Sequence, residues 1–162
     1  MIVVLMGVSG SGKTTIGVEL ARQAGATFAD ADDYHSAANK AKMAAGHPLT
    51  DEDREPWLET LNGVLRGWLA AGTQGVLACS ALKQSYRDTL AAGMPEGAVQ
   101  FVLLEASKGL IAARLAGRVH EYMNPKLLDS QIQTLEKPAE DDPDAMTEVN
   151  DKTPGELSLI HI

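Results

Sequence analysis

The sequence of 162 residues contains one cysteine, Cys79, so neither an internal disulfide nor a multi-cysteine zinc site can form. A reducing, cytoplasmic setting is the simplest expectation. No stretch approaches the roughly 18 apolar residues that a membrane span needs, so no membrane partner is expected. Met1 runs directly into Ile2-Val3-Val4-Leu5-Met6 without a basic region or a small-residue cleavage site, which argues against a secretory signal. Basic residues are also few. Fourteen Lys and Arg face 22 Asp and Glu, for a net charge of −8, and this disfavours a nucleic-acid-binding surface. The deficit is local: residues 136–156 carry eight acids and two bases, leaving a nearly balanced body with a net charge of −2. The acidic segment reads as a solvated loop or tail.

What is present is an alternation. Ile2–Met6 and Val99–Leu104 read as buried strands, Val76–Cys79 as a shorter one, and Thr27–Ala29 takes its place from the order of elements. Helical patterns lie between them. The first runs to about Ala24, with Ile16, Leu20 and Ala24 on one face and Gly25 as its cap. A second places Leu58, Leu61, Leu65, Trp68 and Leu69 on one side, with Pro56 in its first turn. Ser80 is the expected N-cap of a third, with Leu82, Tyr86 and Leu90 inward. Ser107 caps a fourth, containing Leu110, Ile111, Arg114 and Leu115, and a fifth covers Pro125–Glu136. This is the signature of one α/β domain with a parallel sheet covered on both faces, a three-layer arrangement.

The end of the chain departs from that pattern. A strand candidate at Ala145–Val149 leads to Thr153-Pro154-Gly155-Glu156, with no further helix. The expected domain therefore covers residues 1–156 and lacks its last helix. The hexapeptide Leu157-Ser158-Leu159-Ile160-His161-Ile162 equals one reading frame of a sequencing-library adapter and is read as non-native read-through, with a native apolar tail as the alternative.

Gly7-Val8-Ser9-Gly10-Ser11-Gly12-Lys13-Thr14 fits G-x-x-x-x-G-K-[ST], between a strand and an amphipathic helix. Glycines let backbone N–H groups converge on a phosphate, and the helix N-terminus adds partial positive charge. Lys13 is expected on the β- and γ-phosphates, and the Thr14 hydroxyl on Mg²⁺; Thr15 completes the nucleotide cradle. No Asp-x-x-Gly occurs, and Asn39-Lys40-Ala41-Lys42 carries lysine where a guanine reader needs aspartate. A GTPase switch is thereby disfavoured.

Asp30-Ala31-Asp32-Asp33 follows the second strand, where strand ends face the ligand crevice. Of Asp30 and Asp32, one can hold Mg²⁺ through water while the other accepts a proton from an attacking hydroxyl. Arg54 lies just before Pro56. Lys83 and Arg87 are spaced i, i+4, as are Arg114 and Arg118, and such groupings suit an anionic acceptor.

These residues resemble a known family. Gly7–Thr14, then Phe28-Ala29-Asp30-Ala31-Asp32-Asp33-Tyr34-His35, then the block from Lys42 to Leu58 containing Gly46-His47-Pro48-Leu49-Thr50-Asp51-Glu52-Asp53-Arg54, closely resemble gluconokinase of the small P-loop type. Cys79-Ser80-Ala81-Leu82-Lys83-Gln84-Ser85-Tyr86-Arg87-Asp88 and Leu127-Leu128-Asp129-Ser130-Gln131 extend the match, which spans roughly residues 1–150. The resemblance implies a nucleoside-monophosphate-kinase-like fold with a mobile lid at about residues 116–130, a homodimer, and transfer of a phosphoryl group from ATP to D-gluconate. It also implies Asp32 as the base for the 6-hydroxyl and Arg54 on the sugar acid, with His35, Lys83 and Arg87 around it and Gln131 on the acceptor side. Arg114 would lie against the adenine, and Arg118 would swing in from the lid. The lid departs from the family's His-Phe-Met-Pro, reading His120-Glu121-Tyr122-Met123-Asn124-Pro125. The alternatives are a small kinase acting on shikimate or a nucleotide, and a non-catalytic ATP-binding regulatory module.

Overall fold

The alternating apolar residues of the first strand face two different layers, and this divides the core. The computed structural model describes residues 1–105 and 127–149. Strand β1 (Ile2–Met6) sends Ile2, Val4 and Met6 to one face and Val3 and Leu5 to the other. The first set packs with Leu61, Leu65, Tyr86, Leu90 and Leu128; the second packs with Ile16, Leu20 and Ala21. Both faces are therefore covered, as a parallel sheet requires.

The remaining elements are α1 (Lys13–Ala24), β2 (Thr27–Asp30), a 3-10 turn (Ala31–Tyr34), α2 (Ala37–Ala44), α3 (Asp51–Ala70), β3 (Gly75–Ala78), α4 (Gln84–Ala91), β4 (Val99–Glu105), α5 (Leu127–Thr134) and β5 (Ala145–Val149). The sheet order is β2-β3-β1-β4-β5, and every pairing is parallel. The chain leaves β1 towards one side and later crosses to the other, so a ligand crevice opens beyond the carboxyl ends near β1. Register aligns the ends: Leu5 pairs with Ala78, and Ala78 with Asp30. The parallel sheet covered on both faces that the alternation predicts is observed, with the expected P-loop between β1 and α1.

Local chemistry explains the boundaries. Gly25 closes α1 at φ 63°, a left-handed conformation that costs glycine nothing. Gly17 lets α1 approach β2, because a Cβ there would lie 2.6 Å from Phe28 Cε1.

Four expectations are corrected. Ala24 is exposed, and Ala21 takes its place in the core. Leu69 is exposed as well. Helix α3 starts at Asp51, five residues before Pro56, because Thr50 and Asp53 form a capping box there. Ser80 caps nothing: α4 starts at Gln84 with Lys83 in the N-cap position, and the Ser80 carbonyl accepts from Gly7 N at 3.2 Å. The fourth helix expected from Ser107, most of the lid and the hexapeptide 157–162 lie outside the described residues.

Candidate active site

The phosphate end is built by the turn between β1 and α1. Gly7 sits at φ 142°, and a Cβ there would meet Leu104 O and Ser11 Oγ at 2.8 Å, so only glycine permits this path. Gly12, at φ 101°, starts α1. Val8, Gly10 and Ser11 are buried, whereas Thr14 and Thr15 stand exposed at the helix start. Lys13 Nζ donates to Gly7 O at 2.9 Å and Val8 O at 3.0 Å, which folds its ammonium over the loop. Gln131, from α5, is placed on this loop: its Oε1 accepts from Ser9 N at 2.7 Å. The family resemblance implies the acceptor side for Gln131, and this bond ties it to the phosphate-binding loop as well.

The end of β2 supplies the acids. Thr14 Oγ1 donates to Asp30 Oδ2 at 2.8 Å, and Asp30 Oδ1 accepts from Asp32 N at 3.0 Å. A hydroxyl beside a carboxylate is a hard oxygen pair that suits Mg²⁺, an ion that uses few protein ligands and relies on phosphates and water for the rest. Burial, and then the neighbouring Asp30 charge, push the Asp32 carboxyl up to about 6, with Lys13 pulling the other way. A base poised there operates near neutrality.

Opposite Asp32, the starts of α3 and α4 meet. Trp57 Nε1 donates to Ala31 O at 2.8 Å, and its ring stacks on His35 with centroids 4.1 Å apart and planes 15° from parallel. Burial, then the Arg54 charge, lower His35 to about 4, so it is a neutral stacking partner. Asn39 donates to Asp53 O at 2.9 Å, and Lys42 pairs with Asp53 at 2.6 Å, bracing the N-terminus of α3. Arg54 and Lys83 both lie against the Tyr86 ring. Asp51 binds both the Tyr86 hydroxyl and Lys83, and these two hydrogen bonds hold its carboxyl below the usual range.

Arg87 goes elsewhere. Its guanidinium is buried and donates to Ala81 O at 2.9 Å, Glu136 O at 2.7 Å and Gln84 Oε1. The expectation that it shares a face with Lys83 is corrected because Lys83 precedes the helix, so the two side chains diverge. Arg87 instead ties the Ala81 turn, where Ala81 has φ 42°, to the end of α5. Gln84 N also donates to the Glu136 side chain, and Glu136 N to Leu82 O. Arg114 and Arg118 lie outside the described residues.

The site thus joins a P-loop, two acids, and two cations, Arg54 and Lys83, set against the Tyr86 ring. A family described as AAA domain matches residues 2–138. A gluconokinase from Gluconobacter oxydans is 46% identical over 141 residues, covering 86% of this chain and 78% of that protein. The chain belongs to the gluconokinase family. Solved structures agree. A sugar kinase from a Janibacter species matches with a TM-score of 0.87 at 42% identity, over 95% of this chain and 87% of that one. A gluconokinase from Sinorhizobium meliloti matches with a TM-score of 0.82 at 38% identity, over 95% and 85%. Membership in the gluconokinase family makes this chain a P-loop kinase that uses ATP.

Sequence reasoning took Tyr86 only as a core residue and gave Asp51 and Trp57 no part in the site. Lys83-x-x-Tyr86 has the i, i+3 spacing that sets a cation beside an aromatic ring, whereas Arg54 reaches the same ring from 32 residues away. That signal was available, but it is common.

No helix among the described residues is long and apolar enough to cross a membrane.

Proposed function

We propose that this chain transfers the γ-phosphoryl group of ATP to the 6-hydroxyl of D-gluconate, giving 6-phosphogluconate and ADP. The observation that carries the reading is the pair of acids at the end of β2. Asp30 is bonded to the P-loop threonine, and Asp32 stands beside it with a carboxyl near neutrality. One acid serves the nucleotide and the other the acceptor.

In this reading Gly7–Thr15 hold the phosphates through backbone N–H groups, and Lys13 turns from its own loop carbonyls to the β- and γ-oxygens. Thr14 and, through water, Asp30 would hold Mg²⁺, which supplies neutralisation of phosphate charge. Arg54 binds the acid end of gluconate, with His35 and Lys83 around it. Asp32 accepts the hydroxyl proton as the oxygen attacks phosphorus and the bond to the β-phosphate oxygen breaks, with ADP as leaving group. Arg118 stabilises the transferring group from the lid, whose closure excludes water, and Arg114 flanks the adenine. Residues 1–156 form the catalytic domain, acting as a homodimer in the cytoplasm.

The test is ADP release from Mg-ATP with and without D-gluconate, beside shikimate, nucleoside monophosphates and other aldonic acids. Stimulation by gluconate is expected. Stimulation by a different acceptor would reassign the substrate, and ATP binding without any stimulation would make the chain a regulatory module. Asp32→Ala is expected to keep ATP affinity while turnover falls about 10²-fold or more.

A further inference from the structure

Arg54 and Lys83 lie over the same aromatic ring, 5.3 and 5.6 Å from the Tyr86 centroid, yet their charges are answered differently. Lys83 pairs directly with Asp51, at 3.1 and 3.2 Å to its two oxygens. Arg54 has no carboxylate at ion-pair distance among the described residues. Its Nη1 donates instead to two uncharged oxygens, Leu49 O at 2.8 Å and the Tyr86 hydroxyl at 2.9 Å. That hydroxyl gives its own proton to Asp51 Oδ1, at 2.5 Å.

A phenol has one proton and two lone pairs. Here the proton goes to the acid and a lone pair to the guanidinium, so Tyr86 stands between Asp51 and Arg54. This has an electrostatic consequence. An arginine bonded directly to a carboxylate has its charge and its paired donors committed, whereas one oriented by neutral oxygens keeps both for an incoming anion. Lys83 is spent on Asp51, which leaves Arg54 as the reader of the acceptor's charge.

We propose that Tyr86 is a positioning residue for the acceptor's carboxylate: its hydroxyl aligns Arg54 and, by engaging Asp51, keeps that acid from neutralising Arg54. This rests on the reading above, in which Arg54 binds the acid end of gluconate. Loss of the hydroxyl removes the alignment and frees Asp51 to pair with Arg54 in place of the substrate. The packing of the buried ring is untouched by Tyr86→Phe.

Steady-state kinetics on the full chain with Mg-ATP and D-gluconate test this in Tyr86→Phe, Asp51→Asn, the double variant and Arg54→Ala. Tyr86→Phe is expected to raise the gluconate KM about tenfold while the ATP KM stays within about twofold of wild type. Adding Asp51→Asn is expected to bring the gluconate KM back towards wild type, because the competing charge is gone. A purely structural hydroxyl would give no such rescue. An unchanged gluconate KM in Tyr86→Phe, or a double variant no better than the single one, would overturn the proposal. Arg54→Ala separates the two ways of failing. If it raises the gluconate KM while Tyr86→Phe does not, only the role of Tyr86 falls. If it leaves the gluconate KM in place, the acceptor-site reading falls and takes the proposal with it.

Discussion

Thr14 and Asp30, sixteen residues apart in sequence, are joined by a 2.8 Å hydrogen bond from the threonine hydroxyl to Oδ2 of the acid. The other oxygen of the same carboxylate accepts from Asp32 N. A single side chain therefore links the first turn of α1 to the turn that presents Asp32. The phosphate-binding loop and Asp32 are held in one frame.

Asp30→Ala should accordingly act through the metal. At saturating ATP the Mg²⁺ concentration needed for half-maximal turnover should rise about 10–100-fold, while ATP affinity measured in a chelator stays unchanged. An unaltered Mg²⁺ titration would remove Asp30 from the ion's surroundings.

Arg87 makes a different kind of prediction. Its guanidinium satisfies the carbonyl of buried Ala81 and that of Glu136 at the surface, so Arg87→Met should cost about 1–3 kcal/mol of stability in urea unfolding. The gluconate KM, assayed cold where the variant is folded, should change little. A raised KM with stability intact would give Arg87 a part in the proposed gluconate site.

His35 sets a pH dependence. Its folded-state value, about 4, lies below the ordinary 6.5, so between those pH values the unfolded chain binds more protons. Stability is fully present above about pH 6.5 and is lost as pH falls towards 4, by on the order of 3 kcal/mol. Asp32 runs the opposite way in much of this window because its carboxyl is raised. The diagnostic is therefore the difference between wild type and His35→Phe, a variant that keeps a ring on Trp57. Chemical denaturation at pH 7 and pH 4 should show the wild type losing ground to the variant on acidification. A pH-independent difference would mean that His35 titrates normally.

Gly75 begins β3 where a Cβ would lie only 2.2 Å from Trp68 Cε3. Gly75→Ala should destabilise by about 1–3 kcal/mol through overpacking. Thermal unfolding would register it as a lowered Tm with a normal ATP KM, and an unchanged Tm would show that Trp68 can step aside.

Much of the architecture was legible in the residues. Ile2–Met6 is the observed β1 to the residue, and Gly25 ends α1 as its position announces. Hydrophobic period and glycine placement are local signals, set by backbone sterics and burial, so they survive in the sequence. The P-loop was legible for the same reason: its eight residues are contiguous and their geometry is their own. At α3 the proline is the conspicuous signal, yet the helix starts five residues before it, at Asp51, because of the less conspicuous Thr50–Asp53 capping box.

The sequence by itself therefore determined the order of the strands, the phosphate-binding turn and the block of residues that marks the family; it did not show the helix Ala37–Ala44. Only the tertiary structure decided how the charges are used. Lys83 and Arg87 look equivalent along a helix, yet one reaches Asp51 and the other is buried against the nearby Ala81 carbonyl and that of Glu136, 49 residues away. Tyr86 looks like core, yet its hydroxyl stands between Asp51 and Arg54 across more than thirty residues of chain. The physical reason is range. Helices and turns are encoded by near neighbours, whereas the partner of a buried cation or a phenol is chosen by which segments the packed sheet brings together.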